Sequence, residues 1–552
     1  MPREVCSSHA DKQRISAAHG TDHLATAQVP SLDGGFPDIL DLRRVDQLQP
    51  SSGPADSSTR HSKELGLDYS APNEWWYLEQ INATKECNVS ATSDVYVFGL
   101  EESPEGGSIR LPAGVDLEIR LISYDKNAVR RCAGGDYFET DLNGTQWKSR
   151  PPVKDLGDGS YAVKLRVEKR FAGNYSFQVT LLFGGFTGLY RLPQRHAELK
   201  PVLHVTLQFY VPEEPSSKRE SADSESRFLP LCTEQDLQTY PWHGRWTRTQ
   251  ANESCSADAD GRWHCLDPEE QCERPWCEGP VGQLESNGWA YSTPHCHFRI
   301  FTQLEAWNCL AGKHLFFWGD SNHPDTTRNL LNFLLGSNFG NFPRIFDRTF
   351  DNPQNPKQNV RLSVVFNGHV VMKRNNMGLT VLRNQSYTAW IQEILDPGSG
   401  NHIPDALILN SGIHDGIWWK NLTEYVAAAR SASNIWASLW RNISSSLGKR
   451  PKVVYRTTVV PAGESRSMPA NPQKMEVLND IMVNNMVRAF GRKNIRVVDA
   501  FDMTFPFHYD NFYSDGGHYG RIPNPNSWWP GGHMYFVDVM LAHVLLNSIC
   551  PL

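Results

Sequence analysis

The chain has 552 residues and a formal net charge of −7, enough length for two or more domains with sizeable cores. No long basic run is present, which excludes an electrostatic footprint for nucleic acid. No uninterrupted apolar stretch is long enough to span a bilayer, since the nearest, residues 534–546, is short and contains Asp538 and His543.

Residues 1–70 are rich in Ser, Asp, Pro and Gly with little periodicity, the composition of a disordered leader. The first 20 residues are polar and lack an apolar secretory core. From 75 to 212 the pattern changes to short segments of β-formers, at 95–98, 116–123, 161–167, 175–183 and 202–211. Turns bearing Gly, Pro, Asn and Asp separate them, so an antiparallel β-sandwich is expected, with Cys87 and Cys132 able to pair inside it. Residues 213–228 are polar and mixed in charge, as in a linker.

Residues 229–309 form a connector in which Cys232, Cys255, Cys265, Cys272, Cys277, Cys296 and Cys309 crowd together with Trp242, Trp246, Trp263, Trp276 and Trp289. No Cys-x-x-Cys pair occurs among the 11 cysteines of the chain. This argues against zinc and for disulfides, hence for an oxidising compartment. The odd total leaves one cysteine unpaired, and Cys6 in the leader is the expected one. The tryptophans are expected to fill core rather than to form an exposed platform for sugar rings. Eight Asn-x-Ser/Thr sequons, at Asn82, Asn88, Asn143, Asn174, Asn252, Asn384, Asn421 and Asn442, point the same way as the cysteines. A lumenal or secreted protein follows, with any signal or membrane anchor lying outside these residues.

From 310 to 552 strands alternate with helices. Strands are expected at 314–318, 361–366, 405–410, 452–459 and 494–498, with helices at 326–335, 380–394, 422–446, 472–490 and 534–548. That alternation predicts a parallel sheet covered on both faces, with ligands beyond the C-terminal strand ends. Three polar turns fall there: Gly319-Asp320-Ser321, Asn367-Gly368-His369 and Asn410-Ser411-Gly412.

The apolar run from His314 to Trp318 stops abruptly at Gly319-Asp320-Ser321. A strand, a tight turn and a helix start would lift the Ser321 hydroxyl out of the sheet beside backbone N–H groups. A serine needs a base at neutral pH, and His518 in Ser514-Asp515-Gly516-Gly517-His518 supplies one, with Asp515 three residues back to orient the imidazole. The Ser321 and Gly368 backbone N–H groups and the Asn410 amide are the expected oxyanion donors. His323, His369, His414, His508 and His533 are rival bases, each more simply read as structural.

Gly319-Asp320-Ser321 with Asp515-x-x-His518 resembles the motif pair of the PC-esterase group within the SGNH, or GDSL-like, hydrolase superfamily. That group includes trichome-birefringence-like and Cas1-type glycan O-acetyltransferases and the neurexophilin-and-PC-esterase (NXPE) proteins. The sandwich, the Trp/Cys connector and the ending Leu545-Leu546-Asn547-Ser548-Ile549-Cys550 resemble the NXPE arrangement, and His518 to Trp528 is similar to the tail of the plant enzymes' aspartate–histidine motif. Residues 153–161 and 172–179 resemble the immunoglobulin-like repeat of filamins and neurexophilins. The second block, Asn367-Gly368-His369, matches only approximately. The resemblance implies an SGNH, flavodoxin-like α/β domain behind an immunoglobulin/filamin-like sandwich. It also implies a Ser321–His518–Asp515 acyl-enzyme passing acetyl to a glycan hydroxyl in the secretory lumen or Golgi, with no metal or organic cofactor. The expected partners are a glycan and an acetyl donor, not nucleic acid, and a membrane only through an anchor outside this sequence. A secreted acetylesterase with the same triad and a non-catalytic glycan- or protein-binding ectodomain are the alternatives.

Overall fold

The chain divides into units of residues 1–68 and 69–552. The structure, a computed structural model, describes residues 90–100, 108–190, 197–212, 229–248, 256–257, 263–264, 289–521 and 536–551, less 338, 341–342, 369–376, 397, 399–402, 420, 448–449 and 512. All lie in the second unit; the expected leader, the linker and part of the connector, with Cys6 and Cys87, fall outside them.

The first part is built from two sheets. Strands β1 (Asp94–Phe98), β3 (Leu117–Tyr124), β6 (Val153–Asp155) and β7 (Ser160–Leu165) pair in the order β1-β3-β7-β6. The second sheet contains β2 (Ile109–Pro112), β4 (Tyr137–Gly144), β5 (Trp147–Ser149), β8 (Gly173–Phe183), β9 (Lys200–Tyr210), β10 (Arg245–Arg248) and β13 (Trp289–Ser292), ordered β13-β10-β5-β4-β8-β9-β2. Alternate residues of both sheets, among them Ile119, Leu121, Val163, Leu142, Phe177 and Val179, meet in one buried core, as the period of two in a strand requires. The short helix α1 (Thr187–Tyr190) follows β8, and a two-residue hairpin, β11 (Ser256–Ala257) with β12 (Trp263–His264), stands apart.

Strands β10 and β13 extend the second sheet beyond β5, and Trp242, Trp246 and Trp289 are buried in the core beside the α/β sheet. Disulfides join Cys232 to Cys296 and Cys309 to Cys550, the latter across 241 residues, and Cys132 is also disulfide-bonded. These bonds place folding in an oxidising compartment. Among the described residues no helix is long and apolar enough to cross a membrane.

The last part is a six-stranded sheet of β14 (Lys313–Gly319), β15 (Phe346–Asn352), β16 (Asn355–Phe366), β17 (Ala406–Leu409), β18 (Lys452–Arg456) and β19 (Ile495–Val498), ordered β15-β16-β14-β17-β18-β19. All neighbours pair parallel except β15 with β16, an antiparallel hairpin at the edge. The sheet is therefore mixed rather than wholly parallel. β15 escapes the sequence pattern because Phe346-Asp347-Arg348-Thr349-Phe350 shows water three charged or polar positions out of five, as an edge strand does.

Helices cover both faces. One face of β14, with Leu315 and Phe317, packs with α2 (Gln303–Leu310), a π-turn at Leu330–Leu334 and α9 (Phe536–Ile549). The other, with Phe316 and Trp318, packs with α4 (Gln385–Ile394), α6 (Leu422–Leu447) and α7 (Pro472–Phe490). Strands buried on both faces read as the continuous apolar runs seen at β14 and β17. The two-sheet part is fastened to this domain by polar contacts: Tyr137 and Arg150 both donate to Glu476 at 2.7 Å, and Tyr509 donates to the Thr140 carbonyl at 2.7 Å.

Candidate active site

Strand β14 ends at Gly319, and the chain turns through Asp320 and Ser321 into α3 (Asn322–Asn329). Gly319 is required by close packing: a Cβ there would lie 2.7 Å from His323 Nδ1 and 3.0 Å from Asn410 Cβ. Helix α3 starts four residues earlier than the expected Thr326, because Pro324 falls in the first turn, where its missing N–H costs no hydrogen bond. Asp320 caps that turn, its Oδ1 accepting from the Asn322 backbone N–H at 3.0 Å. Burial pushes the Asp320 carboxyl up, but His414, the Asn322 N–H, His323 and Arg456 outweigh it and hold the group below its ordinary value.

Ser321, half-buried, stands at the N-cap of α3 with its Oγ 2.6 Å from His518 Nε2. His518 comes from a turn 197 residues later. Asp515 shapes that turn: its Oδ1 accepts the backbone N–H groups of Gly517 at 3.1 Å and His518 at 2.9 Å. Gly516 has φ +104°, which a side chain rarely adopts. The same carboxylate lies 2.9 and 3.1 Å from His518 Nδ1. Burial would raise Asp515, but His518, Arg521 and the Gly517 N–H hold it far below the usual carboxylate range. An ionised carboxylate only accepts, so Nδ1 carries the imidazole proton and Nε2 offers its lone pair to Ser321.

Residues at the far end of α3 fix this geometry. Arg328 and Asn329, at its C-terminal end, both donate to the Gly520 carbonyl, Asn329 at 3.0 Å, two residues past His518. Asn329 also donates to Asp538 of α9 at 2.7 Å, and the Tyr519 hydroxyl donates to the Val460 carbonyl at 2.9 Å.

The three expected oxyanion donors gather at the same strand ends. Gly319 and Phe366 are register partners, and the Asn367 N–H donates to the Gly319 carbonyl at 2.8 Å, which sets Gly368 on the turn beside Ser321. Among the described residues neither the Ser321 nor the Gly368 backbone N–H has a hydrogen-bond partner. Asn410 is buried at the end of β17; its Oδ1 accepts from the Asp320 N–H at 3.3 Å and its amide donates one hydrogen to the Arg456 carbonyl at 3.1 Å. That side chain therefore ties the turn before Ser321 to the neighbouring strand ends and keeps one N–H in hand.

The rival histidines have other surroundings. His323 is buried with neither ring nitrogen hydrogen-bonded, and burial followed by the Arg456 charge pushes it down to about 3. His414 is buried edge-on to Phe366, with ring centres 5.3 Å apart. His508 is buried against Glu139 of the sandwich at 2.7 Å. His369 and His533 lie outside the described residues. Of the sequons, Asn143, Asn174, Asn384, Asn421 and Asn442 are all exposed, whereas Asn82, Asn88 and Asn252 lie outside the described residues. Among the described residues no group of three or more His, Cys, Asp or Glu side chains is arranged to hold a metal ion.

Sequence reasoning missed Arg521. Its Nη2 lies 2.7 Å from His518 Nε2, its Nη1 3.3 Å from Asp515 Oδ2 and its Nε 3.4 Å from Asp325 Oδ2. Two donors, the Ser321 hydroxyl and this guanidinium, thus converge on one lone pair. The spacing of three from His518 was the available signal, as a basic residue one short turn from an expected base.

No protein family and no curated protein sequence matches the chain. Among solved structures it is similar to an acetylxylan esterase from Geobacillus stearothermophilus, at 14% identity over 44% of this chain and 95% of that one, with a TM-score of 0.26. It is similar too to LAE5, an alpha/beta hydrolase from the metagenome of Lake Arreo, at 15% identity over 44% and 97%, TM-score 0.24. A third is the salicylyl-acyltransferase SsfX3 from a tetracycline biosynthetic pathway, of which the match spans just over half, at 9% identity over 47% of this chain and 56% of that one, TM-score 0.23.

Proposed function

We propose that the protein is a serine acyltransferase of the PC-esterase/NXPE type, moving an acetyl group onto a carbohydrate hydroxyl in the secretory pathway. The observation that carries this is the unbroken chain Ser321 Oγ, His518 Nε2, His518 Nδ1 and Asp515, drawn from segments 197 residues apart with separations of 2.6 and 2.9 Å. Structural histidines seldom bridge a helix-cap serine and a carboxylate held this far below its usual range.

In the reaction His518 Nε2 takes the Ser321 proton as Oγ attacks the acetyl carbonyl. The carbonyl oxygen, now negative, lies toward the Ser321 and Gly368 N–H groups and the remaining Asn410 N–H. The tetrahedral adduct expels the donor's leaving group, which takes the proton from His518. An acceptor hydroxyl then gives its proton to the same nitrogen and attacks the acetyl-serine, which restores Ser321. Asp515 stays ionised throughout and stabilises the imidazolium from behind. Water as acceptor makes the outcome hydrolysis; an ordered sugar makes it transfer.

The test offers purified protein and Ser321→Ala a chromogenic acetyl ester, with and without an oligosaccharide acceptor. Acceptor-dependent acetyl-sugar supports the transferase, and acetate release alone supports an esterase. Turnover that is equal in parent and Ser321→Ala, with no labelling of the parent by a fluorophosphonate, removes the acyl-enzyme reading.

A further inference from the structure

We infer that Arg344 and Arg521 form an oxyanion-binding site beside Ser321, for a carboxylate, sulfate or phosphate group on one of the two substrates. The inference rests on the acyl-enzyme reading and names what that site accepts. Arg344 follows the segment after α3 and lays its guanidinium over the Phe366 ring, 4.8 Å from the centroid. Phe366 ends β16 directly opposite Gly319, so this cation stands one strand from the nucleophile turn. Among the described residues Arg344 has no hydrogen bond and no ion pair. The nearby carboxylate, Asp325, is already divided between Arg328 at 3.3 Å and Arg521 at 3.4 Å. Arg344 is pushed down first by burial and then by the Arg521 charge, with Asp325 opposing, so the two guanidiniums repel across the mouth of the site.

An unpaired, partly desolvated guanidinium on an aromatic face is costly unless an anion completes it. Arg521 is the half in contact with the base. Its side chain is 37% exposed, and it rests on His518 Nε2 and Asp515. An anion between the two guanidiniums takes Arg521 off Nε2 and leaves that lone pair to Ser321. Substrate charge and base availability are thereby linked: a neutral substrate must compete with Arg521 for the imidazole, whereas an anionic one removes it.

The anion has two sources, the acceptor or the acyl donor, and separate arms distinguish them. One arm compares a hexuronic acid with the matching hexose as acceptor, using a neutral acetyl ester. The other compares a phosphate-bearing acetyl thioester with a phosphate-free one, using a neutral acceptor. In one arm the parent is expected to favour the anionic substrate by about 10- to 100-fold in kcat/KM, the range of a charge-assisted hydrogen-bond pair. Arg344→Gln should bring that ratio near unity, and Arg344→Lys should restore part of it. A third arm is independent of turnover: inorganic sulfate at matched ionic strength should raise the melting temperature of Ser321→Ala but not of Ser321→Ala/Arg344→Gln. Parental ratios near unity in both arms, or sulfate stabilisation that survives Arg344→Gln, overturn the anion site. A parent inert to every ester and to a fluorophosphonate overturns the acyl-enzyme instead, and the sulfate arm still decides the anion site.

Discussion

Replacing Asp515 by Asn changes one atom and tests the orientation of the base. Oδ1 accepts two backbone N–H groups, from Gly517 and His518, so the amide oxygen of Asn must stay there. The amide nitrogen then takes the place of Oδ2, 3.1 Å from His518 Nδ1 and 3.3 Å from Arg521 Nη1. An NH2 at that position sets a donor against Nδ1–H and leaves only Oδ1, at 2.9 Å, to accept it, which weakens the preference for the tautomer whose Nε2 lone pair faces Ser321. The negative charge that stabilises the imidazolium is lost as well. A charge pair at this separation, in a partly buried site of effective dielectric near 20, contributes about 3–5 kcal/mol. The expected loss in kcat is therefore about 10²- to 10⁴-fold, with KM little changed. The fold should survive, because the oxygen that organises the turn remains. Steady-state hydrolysis of a chromogenic acetyl ester measures the first expectation and a thermal melt the second. Asp515→Asn within about fivefold of parental kcat, at a parental melting temperature, refutes the orientation assigned to this carboxylate.

Three further expectations follow from packing and charge. Gly319→Ala places a methyl group 2.7 Å from the His323 ring and 3.0 Å from Asn410 Cβ, so it should cost about 1–3 kcal/mol in denaturant unfolding and lower kcat/KM about 10- to 100-fold by shifting the nucleophile turn. Cys309→Ser with Cys550→Ser opens a link across 241 residues and should lose about 2–5 kcal/mol, read as a lower urea midpoint under non-reducing conditions. Asp415 is raised to about 6 by burial, against the Ser411 hydroxyl, the Leu379 N–H and the Trp419 indole. Its folded value lies above its unfolded one, so its contribution is complete below pH ~4 and disappears as pH rises through about 6. Asp415→Asn should flatten that loss, about 2–3 kcal/mol between pH ~4 and ~7, in urea unfolding followed across the range; a parent and variant that track in parallel contradict it.

The α/β part was legible where local chemistry and tertiary structure agree. Helix α7 runs from Pro472 to Phe490 as expected, because Asn471 caps it, Pro472 opens it and Gly491 leaves it at φ +81°. The run into Ser321 was legible for the same reason, an apolar strand cut off by a polar turn. Strand β4 was not. Its buried residues include Glu139 on one face and Thr140 on the other, whose partners, His508 and the Pro151 carbonyl, lie elsewhere in the chain, so no apolar alternation marks it. Strands β10 and β13 were hidden by their setting among cysteines and tryptophans, which reads as loop until the sheet edge they extend is known. Arg344 and Arg521 were invisible because each is an ordinary basic residue in its own segment, and only folding brings both to one strand end.

The three turns at the rim are bound into one piece, and this bears on how such a site keeps its geometry. Asn410 joins the Asp320 N–H to the Arg456 carbonyl, so the turn before Ser321 is tied to β17 and β18. Arg456 reaches the Thr326 hydroxyl of α3 at 2.7 Å, and the same hydroxyl donates to Asp538 of α9 at 2.7 Å. Asn329 closes the circuit from Asp538 to Gly520, on the loop that carries His518. Helix α3 therefore holds Ser321 at one end and grips the His518 loop at the other, through buried groups that cannot be exchanged for water without a penalty. A separation of 197 residues in sequence becomes a separation of one short helix in space. Buried polar networks of this kind stabilise a fold weakly compared with an apolar core, but they specify one arrangement. What they specify here is the distance between Ser321 and His518, the quantity on which the proposed acyl transfer depends.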